Sequence, residues 1–248
     1  MLLIENTPNN LGVTISGDYQ DFEGLYEALH VVVSDDEYLP AARLRILGVC
    51  YDIRHALLGN RDYTFVPNGL THEIKKHQKL AASDKNVYLM INVLWPEILF
   101  ILYALNTLSL TYAKNITKEK YAFDLLANSK LIWDPTYTEV RKFQAAIAAG
   151  IKNTVTEHAY PRILNTMNRR SAGVEGYFTQ YIDLLNHNFI ELSAEKRLKN
   201  ISIVAKRIVE KNDEYRQLED EIRESARIHA CSVDEIRLNL AYPEKMEW

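Results

Sequence analysis

The chain is expected to fold as α+β and predominantly helical. A small N-terminal sheet of about four short strands is covered by helices, and an all-α half follows that ends in a long helix. Three observations carry this. Alternating apolar residues and dense turn clusters are confined to the part before Leu94. The stretch Val87–Ala113, VYLMINVLWPEILFILYALNTLSLTYA, is the longest nearly uninterrupted apolar run and reads as a buried strand feeding a buried helix. After Ala113 the apolar residues keep helical spacing.

Leu2–Glu5 reads as a short strand and Asn6-Thr7-Pro8-Asn9-Asn10 as a turn cluster. Val13 and Ile15 alternate through Gly12–Ser16, which predicts the second arm of a hairpin. Asp18 suits an N-cap, and Phe22, Leu25, Tyr26, Leu29 and Val32 then follow helical spacing to about Ser34. Asp35-Asp36-Glu37 reads as a solvated turn. A helix over Leu39–Leu58 is expected to bury Leu39, Ala42, Ile46, Cys50, Ile53 and Leu57. Its far side carries Leu44, Gly48, Tyr51 and His55 with Arg45 and Asp52 beside them, residues a purely solvent-facing side would not need, so the helix is expected to be covered on two sides. Tyr63–Val66 is a third strand, Pro67-Asn68-Gly69 a turn, Thr71–Ala82 a polar helix and Val87–Leu94 the fourth strand. Pro96 and Glu97 open the next helix, where proline lacks only an N–H that has no helical partner and glutamate faces the positive end of the helix dipole.

Helices are expected over Lys118–Asn128, Thr136–Thr156 and Val174–Leu192, with Pro161 restarting the chain and Arg169–Gly173 an exposed hinge. Ala145, Ala146, Ala148, Ala149 and Gly150 would let another helix approach closely. Ser193–His229 reads as one helix of about 55 Å at 1.5 Å per residue. That is longer than the body it belongs to is wide, so it must break or pack against something extended. The division falls near residue 115, with an α+β part over 1–115 and a helical part over 116–248 that can pack as a single body.

At 248 residues, 47% hydrophobic and 25% charged, the composition is that of a globular protein. A net charge of −4 provides no broad electrostatic case for nucleic acid or acidic lipid. Cys50 and Cys231 stand far apart, which suits a reducing cytoplasm and neither a disulfide framework nor a metal knuckle. Met1–Glu5 lacks the basic region of an export signal. Pro96 and Glu97 interrupt the apolar run, so it is not expected to span a membrane.

Phosphate loops, nucleophile elbows and paired Cys-x-x-Cys motifs are absent from the sequence, and neither cofactor nor metal is expected. His72 and His77 are five apart, about 140° round a helix, too far to share an ion. The candidate catalytic set is Asp52, His55 and Arg45: an acid three residues before a histidine can orient its imidazole, and the arginine adds an anion-binding or pairing charge. The alternative is structural, with Asp52 paired to Arg45 or Arg54. Ala226–Leu240 resembles a helix-turn-helix, with Ser232-Val233-Asp234-Glu235 as a capping box, but its second helix would open with two acids that phosphates repel.

Three expectations follow. The first is a non-enzymatic cytoplasmic protein acting through association, as a homo-oligomer, a dimer joined by the C-terminal helices. The second is a small-molecule or hydrolytic enzyme using Asp52, His55 and Arg45. The third is a DNA-binding regulator using Ile236–Leu240.

The segments GDYQDFEGLYEALH, RILGVCYDIRHALLGNRDY and NVLWPEILFILYALN are similar to stretches of an uncharacterised family of soluble proteins from Gram-positive bacteria. The resemblance covers the first half of the chain. It implies a bacterial, cytosolic setting and transfers no functional residue.

Overall fold

Four strands, β1 (Leu3–Asn6), β2 (Gly12–Gly17), β3 (Tyr63–Pro67) and β4 (Lys85–Leu94), form one antiparallel sheet in the order β1-β2-β4-β3. The computed structural model describes residues 1–33, 40–119, 121–168 and 179–248. Val13 pairs with Val93, and Ile4, Ile15 and Ile91 lie in one row across three strands. All five are buried, so the alternation that predicts the hairpin also selects the face turned toward the helices. The hairpin turn is held by Thr7, whose buried hydroxyl accepts from the N–H groups of Leu11 and Gly12. Gly12 has no room for a side chain, since a Cβ there would lie 2.1 Å from the Val93 carbonyl oxygen.

On this face pack α1 (Tyr19–Val33), α2 (Pro40–Leu57) and α4 (Trp95–Thr117). Asp18 caps α1 as expected: its carboxylate accepts from the Asp21 N–H at 2.9 Å while the Asp21 carboxylate accepts from the Asp18 N–H. The run Trp95–Leu105 is buried except for Glu97, and each fully buried Leu, Ile or Phe in it stabilises the fold by about 2 kcal/mol. The polar helix α3 (His72–Gln78) buries none of its residues and stops early, at Lys79 in the left-handed region.

The remaining helices are α5 (Ala122–Ala127), α6 (Ser129–Ile132), α7 (Pro135–Thr154), α8 (Ala159–Met167), α9 (Thr179–Ile190), α10 (Ala194–Glu210) and α11 (Asp213–His229). One apolar core runs from Leu2 through the β2 and α4 side chains to Ile222, joining residues of both halves of the chain. α7 packs against α1 and α4, and at Gly150 it also admits a strand: a Cβ there would lie 2.9 Å from the carbonyl oxygen of Ile4 in β1. The turn expected at Asp35-Asp36-Glu37, the core position expected at Leu39, the hinge at Arg169–Gly173 and the start of the helix expected from Val174 lie outside the described residues. Among the described residues no helix is long and apolar enough to cross a membrane.

Two expectations need correction. The helix over Ser193–His229 is not continuous. Lys211 takes φ 44°, and Asn212 begins α11 by accepting from the Tyr215 N–H at 3.1 Å and from the Tyr181 hydroxyl at 2.9 Å. The chain turns there, and Ile201, Ala205 and Ile208 of α10 and Tyr215 and Ile222 of α11 are buried in the chain's own core. Nor does the helix-turn-helix form. The Ser232 capping box is present, but the turn it starts is a three-residue 3-10 helix, Val233–Glu235. The side-chain amide of buried Gln180 donates to the carbonyls of Val233 and Ile236 at 2.8 and 2.9 Å, taking the acceptors a longer helix would use. Residues 236–248 run on as a tail with no helix or strand.

Candidate functional site

The far side of α2 faces a cavity. Ala42, Ile46, Cys50 and Ile53 turn into the core, while Leu44, Arg45, Gly48 and Asp52 wall a space of about 550 Å³. The opposite wall is Val93 and Leu94 at the end of β4, Glu97 in the first turn of α4, and Asp183 on α9. The tail closes one side with Met246 and Trp248. It is held there by Tyr242, whose hydroxyl donates to the Asp183 carbonyl at 3.1 Å, and by Asn9, whose amide donates to the Trp248 carbonyl oxygen at 3.2 Å. Trp248 also borders a second space of about 280 Å³ lined by Asp52, Arg61 and Met90.

The charged end of the cavity is built on Arg45. One of its terminal nitrogens donates to Glu97 Oε2 at 3.1 Å; the other donates to Asp183 Oδ1 at 2.7 Å and to the Thr179 carbonyl. Asn186 also donates to Glu97 Oε2, at 2.9 Å, so both bonds fall on one oxygen and Oε1 accepts none among the described residues. Asn186 Oδ1 is itself buried without a partner among the described residues, and the amide cannot be reversed without setting two acceptors against each other. The Arg45 and Glu97 side chains are each 15% exposed.

Burial pushes the Glu97 carboxyl above its usual range, and the like charge of Asp183 adds to this. Arg45 and the Asn186 amide oppose both without cancelling them. Burial lowers the Arg45 guanidinium, but the two carboxylates beside it more than offset that and hold it further up. The partners differ because one cation serves two anions: Arg45 gains from both, whereas Glu97 shares its cation with a rival.

The expected trio divides. Arg45 and Asp52 line the same cavity but do not pair. Asp52 accepts from Arg61, at 3.2 Å from Nε and 2.7 Å from a terminal nitrogen. His55 lines neither cavity; its half-buried ring lies 4.3 Å from that of Tyr51. Arg54, the other expected partner of Asp52, lies over the opposite neighbour, Tyr51. Asp183, Asn186 and Arg61 are absent from the sequence-based candidates. The first two come from a helix more than eighty residues along the chain from Glu97, and only folding makes them neighbours. Among the described residues no group of three acids, histidines or cysteines could hold a metal ion.

The cavity also exposes backbone. In an antiparallel strand successive residues direct their N–H and C=O groups to alternate sides. The Trp95 N–H reaches the Leu11 carbonyl on the β2 side, and the Met90 N–H reaches Asp62 on the β3 side. Met90, Asn92 and Leu94 therefore turn their backbone groups away from β2. β3 pairs with β4 only as far as Leu89, with Asp62 bonding to Met90 just beyond. The N–H and C=O of Asn92 and the N–H of Leu94 are left without a strand neighbour among the described residues, at an edge where both residues line the cavity.

Sheet, helical cover and cavity define a mainly helical α+β protein with a ligand-sized site between a helix and an open strand edge. The chain belongs to the family described as domain of unknown function DUF6904, whose model matches residues 2–248. No curated protein and no solved structure matches it.

Proposed function

We propose that this protein binds a small amphipathic ligand carrying an amine, in the cavity between α2, the end of β4 and the tail. The observation that carries the reading is the Arg45–Glu97–Asp183 cluster: two carboxylates share one guanidinium at one end of a space whose other walls include Leu44, Val49, Val93, Leu94, Met246 and Trp248. Among the described residues Glu97 Oε1 accepts no hydrogen bond and is placed to take one from a ligand ammonium; Arg237, whose Nη1 donates to the Asp234 carbonyl, also lines the space and favours a ligand whose remainder is neutral or carries an acceptor. Gly48 adds to it. A Cβ at this mid-helix position meets nothing within 4 Å, so packing within the chain does not require glycine there, and its absence of side chain leaves room against the helix. Binding is favoured over turnover because His55, the proposed base, lines neither cavity. A bacterial cytoplasm is the setting we assign, on the two isolated thiols and the family segments.

The test is a thermal-shift screen of amines, carboxylates and neutral amphiphiles against the wild type and Gly48→Leu. Amines should raise the melting temperature of the wild type and leave the filled variant unmoved. Stabilisation by carboxylates alone, or equal shifts in both proteins, would overturn the reading.

A different surface supports self-association. Tyr63 and Phe65 on β3 and Val87 on β4 are exposed on the face that carries buried Ile15 and Ile91, and the two rings meet edge to face at 5.7 Å. The stripes of α10 and α11 are already occupied, so this edge strand is the surface we assign to a second copy. Sedimentation of the wild type beside Phe65→Lys tests it: a dimer lost in the variant supports the assignment, and a monomeric wild type removes it.

A further inference from the structure

The cavity's polar groups have an order along β4, and that order describes a ligand. From Met90, where Asp62 takes the last bond on this side, the open edge runs to Leu94, and Glu97 and Asp183 lie beyond its C-terminal end. The Asn92 N–H and C=O form a donor–acceptor pair of the kind a peptide unit satisfies with two hydrogen bonds, and the Leu94 N–H adds a donor. Every pairing in this sheet is antiparallel. A strand added antiparallel to β4 begins where β4 ends, so its N-terminus falls at Glu97 and Asp183. Both carry an oxygen that Arg45 leaves free, and Asn186, which donates to Glu97, has a buried Oδ1 that finds no partner among the described residues.

Resting on the binding reading above, we infer that the ligand is the free amino end of an extended peptide, laid antiparallel along the open edge of β4 with its backbone on Asn92 and its terminal ammonium between Glu97 and Asp183. Strand addition supplies affinity through main-chain bonds, and the carboxylates select the terminus. The open edge accommodates about three or four residues at 3.4 Å each. Leu44, Val49 and Met246 leave the wall beside it apolar, which calls for uncharged side chains. Trp248 borders both cavities and marks where a longer chain would pass.

The experiment is calorimetry together with ¹⁵N amide spectra of the full chain. The probes are the tetrapeptide alanine-valine-threonine-valine with a free amine, its N-acetyl form, copies N-methylated at each backbone nitrogen in turn, and pentylamine. The free-amine peptide should bind and shift the Asn92 and Leu94 amide resonances. Acetylation should weaken it at least tenfold, and N-methylation should do so only at alternate positions. Asp183→Asn and Glu97→Gln should each weaken the free-amine peptide and leave the acetylated one unchanged; the pair covers the case in which one variant fails to fold. Equal binding of free and acetylated peptides, or unmoved Asn92 and Leu94 amides, would overturn the inference. Pentylamine binding as tightly as the peptide would leave the amine cavity standing and remove the peptide. If neither it nor any peptide binds, both fall.

Discussion

Arg45 and Glu97, 52 residues apart in sequence, meet at 3.1 Å with both side chains mostly out of solvent. Their meeting ties the far side of α2 to the first turn of the core helix α4. An ion pair of this kind contributes modestly while whole, but losing one partner strands the other in a poor solvent for charge.

Arg45→Met should therefore destabilise the fold by about 3 kcal/mol at neutral pH, near the lower end of the range for breaking a buried pair because some solvent reaches it. Adding Glu97→Gln should restore part of the loss. Urea unfolding of the four proteins of the cycle checks this, and strictly additive effects would show that the two groups are not coupled.

Glu97 also predicts a slope with pH. Its carboxyl takes up a proton in the folded chain at a pH above the 4.5 expected of the unfolded one. Between those values the folded state holds the proton more tightly, so this group's contribution to stability is fully present below about pH 4.5 and is lost as pH rises through the raised value. Glu97→Gln lacks that loss. Its unfolding free energy should gain on that of the wild type as pH rises through this window; parallel curves would mean that burial does not govern the group.

Gly48→Ala should stabilise the unliganded protein by about 0.5–1 kcal/mol, because alanine suits a helix interior better than glycine and its methyl meets nothing. Scanning calorimetry should show a rise of about 2 °C for a chain of this size. A fall would mean that α2 is more crowded there than the geometry allows.

Asn212→Ala removes the cap of α11 and the acceptor for the Tyr181 hydroxyl together. A loss of about 2 kcal/mol is expected, at the upper end for a helix cap, with amide exchange accelerated first at the start of α11.

Burial pushes the Cys50 thiol up to about 12, whereas Cys231 is partly exposed. Maleimide at neutral pH should label the native protein once, at Cys231, and the unfolded protein twice, as mass spectrometry would count. Rapid double labelling without denaturant would show that α2 opens readily.

Much of the fold can be read along the chain because it is local. The alternation of Val13 and Ile15, the cap at Asp18 and the proline opening α4 each act within a few residues. Asn212 is also visible in the sequence as an interruption, but deciding between a break and a long helix requires knowing that α10 and α11 both have core to cover. The site is legible only from one side. Leu44 and Gly48 on an outward helix face mark the side of α2 that borders the cavity, although nothing in the chain packs on Gly48 and Leu44 stays exposed, and Glu97 stands out as the charge in an apolar run. The groups that complete the site, Asp183 and Asn186, sit on an ordinary amphipathic helix and carry no local mark. Nor does the sequence reveal the open edge of β4, which exists because β3 is too short to cover it. Asp52 and His55 look like a pair at their spacing, yet Arg61, in the turn after α2, claims the acid.

The strand order has a consequence for synthesis. β4 lies between β2 and β3 in the sheet, yet it is the last of the four to be made. On the ribosome the first hairpin and β3 must wait with their inner edges bare until residue 94 emerges, a delay of several seconds at about 5–20 residues per second. Inserting the middle strand then closes two ladders at once. The middle strand that completes both ladders is thus the last to arrive, and the edges it covers are exposed only while the chain is being made.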